Sequence, residues 1–154
     1  MTLMRRRPRP TYRQYAQRTL GHPASEWAAI RSMFRRAFRS PTFAGFWRYW
    51  NPLFAYYLYY LCYRPLAQWL PRPPAVLITF ALSGAIHDVF ASLVTRRVFV
   101  LFTPVFAVYG LWVILEEYFG LTLTWAPVWL RATAHTITLL GTLGVGLLIR
   151  RAVA

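Results

Sequence analysis

The sequence predicts an all-α integral membrane protein with about four transmembrane helices and a basic amphipathic helix ahead of them. Three observations carry that expectation. The 154-residue chain is 57% hydrophobic and 18% aromatic, more apolar than a soluble domain of its size. Its apolar residues gather into runs of membrane-spanning length, with most of the charge at their borders. All 18 basic residues are arginine and only four acids, Glu26, Asp88, Glu116 and Glu117, oppose them, giving a formal charge of +14. Arginines bordering long apolar runs suit membrane lipids with anionic headgroups, and the apolar content argues against nucleic acid as a partner.

Residues 1–24 hold Arg5, Arg6, Arg7, Arg9, Arg13 and Arg18 with prolines at 8, 10 and 23, a composition too poor in apolar surface to order itself. They are expected to form a flexible cytoplasmic arm, and no cleaved leader is expected because no apolar run of signal-peptide length precedes Trp27. The membrane domain takes up residues 25–154. Over 25–40, Trp27, Ile30, Phe34, Ala37 and Phe38 recur at helical spacing while Arg31, Arg35, Arg36 and Arg39 take the other side. Ser25 is a candidate N-cap, and Pro41 follows the last turn. A basic amphipathic helix of this kind lies in the headgroup plane.

Leu53–Leu70 is aromatic and apolar as far as Tyr63 but is interrupted by Arg64 and Pro65, so it crosses, kinks or lies partly re-entrant. Pro74–Thr95, Val98–Leu115 and Ala132–Ile149 are firmer spans of 18 to 22 residues. That is the helical length needed to cross a hydrocarbon core about 30 Å thick. Pro71, Pro73 and Pro74 make a stiff turn before the first of these, and Pro104 is expected to kink the second. Arginines at span ends are retained on the cytoplasmic side, which puts the Arg96/Arg97 and Arg150/Arg151 pairs inside and lets Glu116 and Glu117 face out. Four crossings with both termini cytoplasmic satisfy those assignments. Thr142 and Gly146 have small-xxx-small spacing, a face suited to close helix packing.

The chemistry of the chain centres on two polar residues. Asn51 closes the run Phe46-Trp47-Arg48-Tyr49-Trp50-Asn51, and His87 lies in the middle of Pro74–Thr95, where an ionisable residue is costly and seldom without a use. Pro52 follows Asn51 where a missing amide hydrogen costs nothing, so Asn51 begins a helix at the cytoplasmic boundary. His87 is about 20 Å into the returning helix at 1.5 Å per residue, which allows the two to meet in the cytoplasmic half of the membrane. Ser83 precedes His87 by one turn on the same face and is placed to hydrogen-bond the ring. Asp88 points about 100° away and is poorly placed to orient the imidazole. A neutral imidazole accepts a proton from a substrate hydroxyl, and a nearby carboxamide either donates to the oxygen that gains charge in acyl transfer or holds the acceptor in line. The bland alternative is that Asn51 only caps a helix and His87 only bonds a neighbouring carbonyl.

Phe46-Trp47-Arg48-Tyr49-Trp50-Asn51-Pro52, then Tyr63-Arg64-Pro65-Leu66, then Leu82-Ser83-Gly84-Ala85-Ile86-His87-Asp88 resemble the catalytic core of membrane-bound O-acyltransferases over roughly residues 43–95. The similarity is greatest to the diacylglycerol and sterol acyltransferase branch. It implies transfer of an acyl group from acyl-CoA or a similar thioester co-substrate to a lipid or other hydroxyl, with His87 as base and Asn51 beside it as the catalytic pair. Trp47, Arg48 and Ser83 are the candidate substrate-binding residues, and no bound cofactor or metal is expected. Family members enclose the reaction chamber with more helices than this sequence supplies, so a second copy or a partner membrane protein is expected to complete it. The competing reading is a non-catalytic accessory subunit that retains the motif.

Other residues carry plainer expectations. Arg48, Arg64 and the Arg31–Arg39 face suit CoA phosphates, although snorkelling to lipid phosphate is the commoner role. His135, beside Thr133 and Thr136, is expected to make an interhelical hydrogen bond rather than to react. Cys62 reads as a buried small apolar side chain, and the Tyr and Trp residues from Trp47 to Trp69 as an interfacial belt.

Overall fold

The computed structural model describes residues 9–21 and 27–153. The Ser25 cap and the arm residues Arg5, Arg6, Arg7, Pro8 and Pro23 lie outside them. The described residues contain helices and no strand. Two helices are long and apolar enough to cross a membrane: α6 (Arg72–Thr95) and α8 (Val128–Val153). They contain the expected Pro74–Thr95 and Ala132–Ile149 spans. Pro73 and Pro74 lie in the first turn of α6, where a missing N–H is no loss, so the proline run starts the helix rather than preceding it.

Between them runs α7 (Phe102–Tyr118), antiparallel to α6 and in its most extensive contact with it. The expected Val98–Leu115 span is shifted, because Asp88 dictates where α7 begins. Its carboxylate accepts the backbone N–H groups of Leu101, Phe102 and Thr103 at 2.8, 2.7 and 2.8 Å and the Thr103 hydroxyl at 2.6 Å. Helix N-termini leave their first N–H groups unsatisfied, and Pro104, next in line, has none to satisfy. Pro104 therefore sits in the first turn and kinks nothing. The link before it is pinned as well, since the Phe99 N–H donates to the Ser92 hydroxyl at 2.9 Å.

Gly84 makes this junction possible. A Cβ there would stand 2.7 Å from Thr103 Cα, so a side chain would force the two backbones apart. At the other end of the hairpin, Arg72 donates from Nε to Glu117 at 2.9 Å.

The segment expected at Leu53–Leu70 is not one helix. It comprises α4 (Pro52–Tyr57), a π-helical turn over Leu58–Tyr63 and a single turn, α5 (Arg64–Leu66). Pro65 is the reason we assign: it has no N–H for the Leu61 carbonyl one turn earlier, and its ring would clash with that carbonyl. Cys62 on this turn is half-buried rather than buried.

The arm also contains structure that composition hid. Tyr12–Leu20 form α1, opened by a Thr11/Gln14 capping box and closed by Gly21 in the left-handed region at φ 78°. It docks on α4, where Tyr12 and Tyr15 pack on the Tyr56 ring and the Tyr56 hydroxyl donates to the Pro10 carbonyl at 2.8 Å. Tertiary aromatic contacts order a stretch that is polar in one dimension.

The amphipathic expectation for residues 25–40 becomes α2 (Trp27–Arg39), with three faces rather than two. Ala29, Ser32 and Ala37 are buried against the protein, Trp27, Ile30 and Phe34 are exposed, and Arg31, Arg35 and Arg39 form an exposed basic edge. Small residues allow the close approach inward, which leaves the large apolar side chains facing out.

The core lies between α3 (Phe43–Tyr49), α6 and α7, around the fully buried Phe43 and Phe46 with Val76, Leu101, Val105, Tyr109 and Val113. Glu116 holds α3 there by accepting the N–H groups of Phe43 and Ala44 at 2.7 and 3.0 Å. His135 of α8 is buried, with Nε2 2.9 Å from the Ser40 carbonyl. The expected hydrogen bond exists, but its partner is the α2–α3 link rather than another helix.

Candidate active site

Asn51 sits at a forced turn between α3 and α4. Its backbone is in the left-handed region, φ 43° and ψ 72°, which asparagine tolerates better than most residues. Its Oδ1 accepts the Phe54 N–H at 3.2 Å, and Pro52 fills the first helical position as expected. The carboxamide oxygen thus serves the helix, and the Nδ2 group has no acceptor among the described residues.

His87 Nδ1 lies 2.7 Å from the carbonyl oxygen of Ser83, one turn earlier on α6. A carbonyl only accepts, so Nδ1 is the donor in this contact. The expected tie to Ser83 exists, but through its main chain rather than its hydroxyl. Asp88 does not orient the ring, being engaged with α7 as described. The imidazole is instead walled by aromatic rings: Phe106 stacks at 5.0 Å, Phe54 meets it edge-on at 5.4 Å and Phe102 lies at 5.6 Å.

Both local bonds of the bland alternative are therefore present, and they do not exhaust the two residues. Asn51 and His87 line one cavity of about 440 Å³, together with Trp47, Arg48 and Ser83. These five candidate residues come from three parts of the fold: α3, the α3–α4 turn and α6. Tyr15, Tyr59, Tyr63 and Arg72 complete much of the polar rim.

Trp47 is unusual within this wall. Its ring packs on Phe43, Phe80, Phe106 and Tyr109, so it belongs to the core cluster rather than to a belt. Its indole N–H is buried with no hydrogen-bond partner among the described residues. Trp69 does sit exposed, as a belt residue would.

Sequence reasoning missed Phe54, Phe102 and Phe106. Their spacing held a partial signal, since Phe102 and Phe106 are one helical turn apart and share a face. It missed Tyr15 and Arg72 because each reaches the cavity across a long sequence separation.

The described residues form a helical protein with one cavity lined by both an imidazole and a carboxamide. The sequence profile of MBOAT, the membrane-bound O-acyltransferase family, matches residues 11–124, and the chain belongs to that family. The match runs well beyond residues 43–95, reaching from the Thr11 cap of α1 through the end of α7. No curated protein and no solved structure matches the chain.

Proposed function

We propose that this protein transfers an acyl group from an acyl-CoA-type thioester to a lipid hydroxyl, with the diacylglycerol and sterol acyltransferases as its nearest branch. The observation that carries the reading is the contact of His87 Nδ1 with the Ser83 carbonyl: it uses Nδ1 as a donor, so that a neutral ring offers Nε2 as a proton acceptor to the cavity shared with Asn51. The acceptor hydroxyl gives its proton to Nε2 as its oxygen bonds to the thioester carbonyl carbon. The carbonyl π electrons move onto oxygen, return as the carbon–sulfur bond breaks, and Nε2–H protonates the departing sulfur. Asn51 Nδ2 donates to the transient oxyanion or holds the acceptor in line.

Trp47 contributes its ring to the cavity wall, which supports it as a substrate contact. Arg48 at the rim suits the phosphates of the donor, and Ser83 lies in the wall beneath the base. We read α6, α7 and α8 as the crossings and Pro52–Leu66 as re-entrant, in place of the expected four crossings with both termini cytoplasmic, because the α2–α3 link lies at the Glu116 end of the bundle, where the Leu123 N–H donates to the Pro41 carbonyl. The exposed Trp27, Ile30 and Phe34 with the adjacent arginines support α2 as a helix of the headgroup layer. A second copy or a partner membrane protein closes the open side of the chamber.

The test is labelled acyl transfer by purified protein from acyl-CoA to a panel of lipid alcohols. Wild type is expected to turn over and His87→Ala and Asn51→Ala to lose most of it. Equal rates in all three proteins defeat the assignment, and a stoichiometric heteromeric complex without turnover identifies an accessory subunit.

A further inference from the structure

Away from the candidate active site, α7 and α8 flank an apolar groove of about 740 Å³ lined by Leu101, Pro104, Val105, Val108, Thr142 and Val145. The helices touch at Gly146, where a Cβ would stand 2.8 Å from Val105 Cγ2. At Gly141 a Cβ would meet nothing within 4 Å, so the groove is open there. One end is basic. Arg150 lines the groove with its guanidinium 3.8 Å over the Phe99 ring, and Arg96 and Arg97 lie on the adjoining α6–α7 link.

Among the described residues no carboxylate comes within ion-pair distance of these three arginines. Asp88, the acid of this region, has both oxygens engaged by the first turn of α7. The link is held in place by Asp88 and Ser92, and Arg96 itself adopts a left-handed backbone at φ 53°. Arg150 thus brings positive charge into the groove itself, and the exposed Arg96 and Arg97 add more on the link whose Val98 and Val100 line it.

We infer that this groove is a binding site for one anionic phospholipid, its phosphate held by Arg96, Arg97 and Arg150 and an acyl chain laid between α7 and α8. The charge selects the headgroup, and the groove selects a molecule with a hydrocarbon tail. A surface lipid drawn by charge alone would need the arginines and ignore the groove. The site is separate from the acyl-transfer cavity, with which it shares none of its lining residues.

The experiment is native mass measurement of the full chain in detergent, titrated with phosphatidylglycerol or with phosphatidylcholine of the same chain length. One phosphatidylglycerol per chain is expected, with phosphatidylcholine retained at least roughly tenfold more weakly, as removal of charge contacts at a membrane surface dictates. Arg96→Gln with Arg150→Gln is expected to weaken phosphatidylglycerol by roughly tenfold or more on the same scale. Gly141→Leu fills the groove, leaves every charge in place and is expected to expel the lipid. His87→Ala is expected to retain it, so this inference and the catalytic reading fail separately. Equal retention of the two lipids, indifference to Gly141→Leu, displacement by glycerol 3-phosphate alone, or a lipid-free dimer sealed at this face would each overturn the site.

Discussion

The carboxylate of Asp88 holds both the backbone N–H and the hydroxyl of Thr103, at 2.8 and 2.6 Å, and so fastens α6 to the first turn of α7. Hydrogen bonds to a charged acceptor are worth about 1.5 to 3 kcal/mol each, and truncation strands several donors together. Asp88→Ala is expected to destabilise the protein by about 3 kcal/mol or more. Asp88→Asn, which keeps one acceptor oxygen, is expected to fall between. Thermal unfolding in detergent followed by circular dichroism measures both, and an unchanged midpoint for Asp88→Ala removes the junction from the account.

Gly84 permits the same junction by its lack of a side chain. Overpacking a filled interior costs about 1 to 3 kcal/mol, and here the displaced element carries Phe102 and Phe106 against the His87 ring. Gly84→Ala is therefore expected to lower both the melting temperature and the rate of acyl transfer. A variant as stable and as active as wild type shows that the helices have room to spare.

Substitutions at the base separate chemistry from folding. His87→Gln is expected to reduce acyl transfer by about 10² to 10⁴, the usual contribution of a positioned general base, with little change in melting temperature. Activity within a few-fold of wild type assigns the proton transfer elsewhere.

Asn51 requires a paired comparison because its backbone is left-handed. Asn51→Gly keeps that conformation and removes the carboxamide, whereas Asn51→Ala adds strain of about 1 to 2 kcal/mol. If the carboxamide meets the oxyanion, both are expected to lose about 10² in turnover, and only the alanine variant to lose appreciable stability. A glycine variant of normal activity reduces Asn51 to a cap.

Arg72 and Glu117 give a contrasting case. Their side chains are 60% and 36% exposed, and an exposed ion pair contributes about 0 to 1 kcal/mol. Arg72→Gln is expected to move the unfolding midpoint only slightly, and a large drop means that the pair is shielded by something outside this chain.

Much of this was legible in the sequence wherever one physical signal dominated. Hydropathy and length placed α6 and α8, helical periodicity placed α2, and a polar pair in apolar surroundings led to Asn51 and His87. The failures come from contacts between distant residues. Asp88 moves the start of α7 to Phe102 and absorbs Pro104 into its first turn, which no local pattern announces. Tyr56 orders α1 from a separation of more than forty residues. The buried face of α2 is its small residues, because interhelical distance decides which side faces in and hydrophobicity alone does not.

His87 and Asp88 are neighbours in sequence that divide two duties between adjacent faces of one helix. The acid anchors a second helix at the very turn that carries the imidazole, so the Phe102 and Phe106 walls are tied to the same place. Mechanical alignment of the proposed base is thereby written into a dipeptide, and a histidine without that neighbour would lose its clamp.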